Sequence, residues 1–470
     1  MEKLTALKLA QKIKNASITS KSATEFSYSK AKENKYNAFT GLNENAIKQA
    51  KDFDKKQNFN SLLSGVPISI KDNICTKGIT TTAASNIIKD FVPTYNATVI
   101  DKLISSGMII TAKNNMDEFA MGSTNETSAF GPVLNPHNES CVAGGSSGGS
   151  AATVSAGMSF CALGSDTGGS VRLPASYCGV VGFKPTYGAV SRFGLIAFAS
   201  SLDQIGTLTK TVKDTAALFD IIKGKDEKDA TSVDFTKSAV DNLGKPVKGK
   251  KIGIIKEFLD EKTVSEDVIS AVKNAVSVLK EQGAQVEYTN LPYTDLTVPV
   301  YYIITSAEAS SNLARFDSVR YGVRKHSGDT DSIYRDSRSS GFGDEVKKRI
   351  ILGTYVLSSG FYDAYYLKAL KVRRLIKTSY TQLFKKYDAL ICPTAPTTAP
   401  PLNNMKNIDK ADIFTAGVNL AGLPAISVPF GKDRYNMPIG VQIIADSFCD
   451  CECLSIADTL QEHSGGSYEL

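Results

Sequence analysis

Hydrophobic and polar positions change their period several times along this chain, and each change marks an element. Over residues 65–71 the two classes alternate. Val66, Ile68 and Ile70 share one face and Ser69 and Lys71 the other, which predicts a strand. Residues 98–106 follow helical spacing, and 108–113 read as a short buried strand. The best-punctuated stretch starts at Ser265, a residue suited to capping a helix. Glu266 and Asp267 fill its first turn, Ile269, Val272, Val276 and Leu279 form its apolar stripe, and Gly283 ends it. Strands at 251–255 and 285–288 flank that helix as a βαβ unit, and 388–391 and 425–429 read as further buried strands. This alternation predicts an α/β fold with a mixed, mostly parallel central sheet covered by helices.

Two stretches interrupt the pattern. Residues 223–250 are polar and charged and suit a crossing over the surface; 321–344, rich in Ser, Gly, Asp and Arg, suit a mobile loop or lid. With 470 residues, 42% of them hydrophobic, the chain has material for a large core. Length alone suggests roughly three units of about 150 residues, a prior that large α/β enzymes often break. The expectation is one domain over 1–470. Its core spans about 60–220, with the crossing at 223–250, an insertion-like helical and lid segment at about 260–345, and closing helices and strands at 346–470.

Composition narrows the setting. Lysines interleave with Leu4, Leu7 and Ile13 over residues 1–14, which is not the pattern of a secretory leader, and no apolar run approaches about 18 residues. The eight cysteines form no C-x-x-C pair, so reduced thiols in a cytoplasmic protein are expected. Cys449, Cys451 and Cys453 would need His463 as a fourth zinc ligand; small buried residues on a helix are the expected reading. The charge of +6 comes without a long basic block, which points to a solvated surface rather than a nucleic-acid groove.

Chemistry concentrates between Gly144 and Ser170. The run Gly144-Gly145-Ser146-Ser147-Gly148-Gly149-Ser150 lacks the Gly-Lys-Ser/Thr of a phosphate-binding loop. It does satisfy G-x-S-x-G, with Ser147 as nucleophile. That elbow needs a downstream histidine, and only His326 and His463 qualify. A third reading uses no histidine. Lys71 ends an apolar strand and points away from its core face, so a desolvated, neutral Lys71 can act as the base for a serine. The stretch Gly164-Ser165-Asp166-Thr167-Gly168-Gly169-Ser170 can turn the N–H groups of Thr167, Gly168 and Gly169 toward one point, as an oxyanion requires. A tight turn that merely lets strand and helix pack closely would use the same glycines.

These residues resemble the amidase signature family. Lys71 in Ile70-Lys71-Asp72-Asn73, the Gly-Gly-Ser-Ser-Gly-Gly-Ser run and Asp166-Thr167-Gly168-Gly169-Ser170-Val171-Arg172-Leu173-Pro174-Ala175 together carry the likeness. It implies a Ser–cis-Ser–Lys triad of Ser170, Ser146 and Lys71. Within the family, residues 183–206, Asp117-Glu118-Phe119-Ala120-Met121-Gly122-Ser123, Glu308–Arg315 and Asn419–Pro424 are similar to the A subunits of glutamyl-tRNA(Gln) amidotransferases. That resemblance implies hydrolysis of glutamine to supply ammonia. Arg349 would hold the α-carboxylate and Asp412 the α-ammonium, with Tyr301, or else Tyr302, beside them. It also implies the B and C subunits of the amidotransferase as partners, with ATP and magnesium used by the partner and Glu-tRNA(Gln) bound mainly through the B subunit. No cofactor or metal is expected in this chain. Thr207 stands where the family pattern has proline, and the loop at 321–345 is expected to be shortened. The competing reading is a free-standing amidase acting on small acylamides.

Overall fold

The computed structural model describes residues 1–325, 328–404 and 411–464. Among these residues thirteen strands form in chain order. They are β1 (Phe39–Leu42), β2 (Pro67–Lys71), β3 (Ile109–Asn114), β4 (Leu134–Asn135), β5 (Asn138–Val142), β6 (Cys161–Asp166), β7 (Val181–Lys184), β8 (Gln204–Thr209), β9 (Lys251–Ile255), β10 (Gln285–Thr289), β11 (Ala389–Pro393), β12 (Ala425–Lys432) and β13 (Pro438–Ile444). Eleven of them make one sheet in the order β1-β3-β2-β6-β8-β7-β12-β13-β11-β9-β10, while β4 and β5 pair as a separate ribbon.

The sheet is mixed, as expected, and its parallel pairing is confined to two runs, β3-β2-β6 and β11-β9-β10. Between them β6, β8, β7, β12, β13 and β11 pair antiparallel. The short turn between β12 and β13, with Asn436 at φ 65°, leaves those strands no other direction. The strand β10, from the segment expected as an insertion, forms one edge of this same sheet, beside β9.

Local expectations hold with informative exceptions. All five residues of β2 are buried, so its polar face looks into the protein rather than into water. The helix Glu266–Glu281 carries the expected apolar stripe, but the Ser265 side chain does not cap it; its backbone N–H instead donates to the Pro396 carbonyl. In the first helix, Ala6–Lys14, the buried face is Ala6, Leu9, Ala10 and Ile13, with Leu4 and Leu7 only partly covered. The stretch expected as a mobile loop contains a helix, Thr330–Gly341, started by a reciprocal capping box between Asp329 and Ser332. Arg338 ties it down by donating to the carbonyls of Leu313 and Phe316. Capping residues made this segment look like loop by composition alone. Among the described residues, no helix is long and apolar enough to cross a membrane.

Candidate active site

Three segments meet at the C-terminal ends of β2 and β6. The strand β2 carries Lys71 at its last position. The loop before the helix Gly148–Ser155 carries Ser146, which follows a cis Gly145–Ser146 peptide bond. The strand β6 ends at Asp166 and runs through Thr167-Gly168-Gly169 to Ser170, just ahead of the helix Arg172–Cys178.

Asp166 organises that turn. Its carboxylate accepts the N–H of Gly169 at 2.9 Å and of Val171 at 3.1 Å, and the Nε and Nη2 of Arg172 at 3.0 and 2.9 Å. Arg172 in turn donates to Gln442 Oε1 and Asn419 Oδ1, each at 2.6 Å. Burial by itself raises a carboxyl, but the Arg172 guanidinium outweighs it and holds Asp166 well below the usual carboxylate range. The turn is therefore locked around a buried charge pair. One consequence corrects the oxyanion expectation: the Gly169 N–H is committed to Asp166, so it is not aimed at a substrate.

Lys71 Nζ lies 2.7 Å from Ser146 Oγ, 2.8 Å from Ser147 Oγ and 3.2 Å from the Ser165 carbonyl. Its side chain is fully buried, and that burial lowers its pKa to about 7 against the pull of Asp117, Asp166 and Asp203. The hydrogen-bond arrangement suits the neutral amine. The Ser147 hydroxyl donates to the Ser165 carbonyl at 3.1 Å, so its oxygen accepts from Lys71. Neutral lysine has two N–H groups, and Ser147 and the Ser165 carbonyl take both. In that state the lone pair is left for Ser146, whose O–H would donate to it, whereas an ammonium would donate to all three oxygens. Ser170 is buried beside this pair, and its carbonyl accepts the Ser147 N–H at 3.1 Å.

Elements distant in sequence close the other side. A Cβ added at Gly168 would lie 2.6 Å from the Tyr301 ring and 2.8 Å from its hydroxyl. One added at Gly169 would lie 3.1 Å from Asp412 Oδ1 and would collide with Thr415. The glycines are required here because Tyr301, Asp412 and Thr415 stand directly against the backbone. Burial, reinforced by repulsion from Asp166, pushes the Asp412 carboxyl up to about 7, although Arg349 and Arg172 oppose the shift. Arg349, 5% exposed, spends its Nε on Glu345 at 2.6 Å and stacks over the Tyr302 ring at 4.2 Å. Its Nη1 is buried without a hydrogen-bond partner among the described residues. Tyr301 and Tyr302 thus divide the work: the first covers Gly168 and the second supports Arg349.

Every residue singled out in the sequence lies in the described part of the molecule except His326. The other two histidines are engaged elsewhere: His137 contacts the Cys178 carbonyl and His463 the Thr459 carbonyl. Sequence reasoning missed Ser147, Asp166 and Arg172 as the supports of the site, although Asp166 and Arg172 stood in the motif around Ser170. Asn419 stood in a stretch that carries the family likeness but not as a support of the site, and Gln442 carried no local signal, because their partner Arg172 lies hundreds of positions away. Cys451 and Cys453 are buried in the helix Asp450–Glu462, and no metal-ligating cluster occurs among the described residues.

Comparison with known proteins gives the family. The family model described as Amidase matches residues 22–454. The chain is 51% identical over 460 residues to the A subunit of glutamyl-tRNA(Gln) amidotransferase of Lachnospira eligens, covering 94% of this chain and 95% of the relative. It is 50% identical over 459 residues to the protein of the same name from Staphylococcus epidermidis, covering 94% and 93%. The crystal structure of the A subunit of glutamyl-tRNA(Gln) amidotransferase from Thermotoga maritima superposes with a TM-score of 0.81 at 41% identity, covering 98% of this chain and 95% of that one. With a buried lysine against two serines and a family match over most of its length, this chain belongs to the amidase family.

Proposed function

We propose that this chain is the glutamine-hydrolysing subunit of a tRNA-dependent amidotransferase, acting through Ser170, Ser146 and Lys71. The observation that carries the catalytic assignment is the buried contact between Lys71 Nζ and Ser146 Oγ at 2.7 Å. Neutral Lys71 takes the Ser146 proton as Ser146 takes the proton of Ser170. The Ser170 oxygen attacks the side-chain carbonyl of glutamine, and the N–H groups of Thr167 and Gly168 are the remaining donors toward the oxyanion. Collapse of the tetrahedral intermediate returns a proton through Ser146 to the leaving nitrogen. Ammonia departs and leaves a γ-glutamyl ester on Ser170. Water activated by the same relay then releases glutamate.

Arg349 and Asp412 suit the two charged ends of free glutamine. The unpartnered Nη1 of Arg349 supports this, because a buried guanidinium donor is costly unless something accepts from it. The names of the relatives support a place among the subunits of an amidotransferase acting on glutamyl-tRNA(Gln). The rest of the proposal is that the ammonia goes to Glu-tRNA(Gln) held mainly by the B subunit, where ATP and magnesium are used. Eight unpaired cysteines fit a cytoplasmic setting.

The test is glutaminase activity of Ser170→Ala in the assembled complex, with trapping by an electrophilic glutamine analogue. Activity should vanish and wild-type label should map to Ser170. Label on Ser147 would overturn the assignment, and equal turnover of glutamine and simple acylamides would favour a free-standing amidase.

A further inference from the structure

Two consecutive residues after β3 reach in opposite directions. Asp117 serves the catalytic floor. Its N–H donates to the Ser146 carbonyl at 3.2 Å, and its carboxylate accepts the Asn125 N–H at 3.0 Å and the Thr127 hydroxyl at 2.8 Å. A Cβ at Gly145 would collide with that carboxylate. Glu118 turns the other way. One of its oxygens accepts the N–H of Gly343 at 2.8 Å and the other meets the Ser85 hydroxyl. Gly343 immediately precedes the helix Asp344–Leu357, which carries Arg349. The first N–H groups of a helix have no partner within it, so an acceptor fixed at this point sets where the helix starts. Glu118 also fills the space that a Cβ at Gly343 would need.

The backbone around this contact is strained. Phe119 and Ala120 have φ of 49° and 62°, and the Phe119 N–H donates to the carbonyl of Ala83, which with Ala84 lies at φ 48° and 53°. Four buried non-glycine residues in the left-handed region persist only where the surroundings over-determine them. Phe119 packs against Phe342 and Phe316, with ring centroids 5.7 and 5.2 Å apart, so the clasp is apolar on one side and hydrogen-bonded on the other.

We infer that Glu118 is a positioning residue that holds the Arg349 helix in register with the Ser146–Lys71 pair, so that an amino-acid amide is clamped with its carboxamide over Ser170. This rests on the assignment of Arg349 proposed above. A rigid link between the two is needed because each acts on one end of the same small substrate. Displacement by about 1 Å can cost on the order of 100-fold.

The experiment compares L-glutamine with butyramide, which lacks the α-carboxylate, on the full-length chain purified with its co-expressed partner subunits. Glu118→Ala should raise the KM for glutamine about 10- to 100-fold and leave butyramide turnover within about twofold. Glu118→Gln keeps one acceptor oxygen and should fall between wild type and Glu118→Ala; it carries the same test if the alanine variant does not fold. Equal losses on both substrates, or wild-type constants for both variants, would overturn the inference. Arg349→Ala serves as the reference. If it fails to separate the two substrates, the substrate reading falls and the inference with it. If it separates them and the Glu118 variants do not, only the inference falls.

Discussion

Lowering pH should switch this enzyme off through two groups that can be told apart by choice of substrate. Lys71 must be neutral to accept a proton, and burial sets its pKa at about 7. At pH 6 about one molecule in ten then carries the neutral amine and at pH 8 about nine in ten, so kcat/KM for a neutral amide should rise about tenfold across that interval. Asp412 sits at about 7 as well and must be ionised to hold an ammonium group. For glutamine the two requirements multiply, and the same interval should give about 100-fold. The assay is kcat/KM against pH for glutamine and butyramide, between pH 5.5 and 9. A profile for butyramide that is flat from pH 6 to 8 would refute Lys71 as a base of lowered pKa. Equal slopes for the two substrates would remove Asp412 from ammonium binding.

Lys71→Arg should lose at least about 100-fold in kcat, because a guanidinium keeps its proton throughout this range; near-normal turnover would exclude the relay. Arg172→Ala leaves Asp166 buried without its cation and should cost about 3–5 kcal/mol in urea unfolding. Because pairing depresses the Asp166 pKa, the contribution it makes is present above the unfolded carboxyl pKa and is lost on acidification; the wild-type advantage over Arg172→Ala should therefore shrink in acid. Gly168→Ala places a methyl against the buried Tyr301 ring and should abolish glutamine turnover and lower thermal stability by about 1–3 kcal/mol, whereas retained activity would show that the ring can move aside.

The proposal for Lys71, Ser146 and Ser170 came from the resemblance to the amidase signature family, which short motifs around each residue carry, whereas the residues read singly left other roles open. The βαβ unit from β9 to β10 was legible because its helix carries a regular apolar stripe. The alternation in β2 was read correctly as a strand, but the sequence could not say that its polar face looks into a buried site, since Ser69 and Lys71 look the same facing water. Tertiary structure alone decided the antiparallel centre of the sheet and the helix at Thr330–Gly341. It also decided that Gly169 gives its N–H to Asp166, that Tyr301 and Asp412 stand against the loop before Ser170, and that Arg349 stacks on Tyr302. The physical reason is range. Periodicity and turn chemistry act over a few residues and leave a mark in the chain. The depressed pKa of Lys71 and the unpartnered Nη1 of Arg349 arise instead from burial among segments far apart in the chain, which no local pattern records.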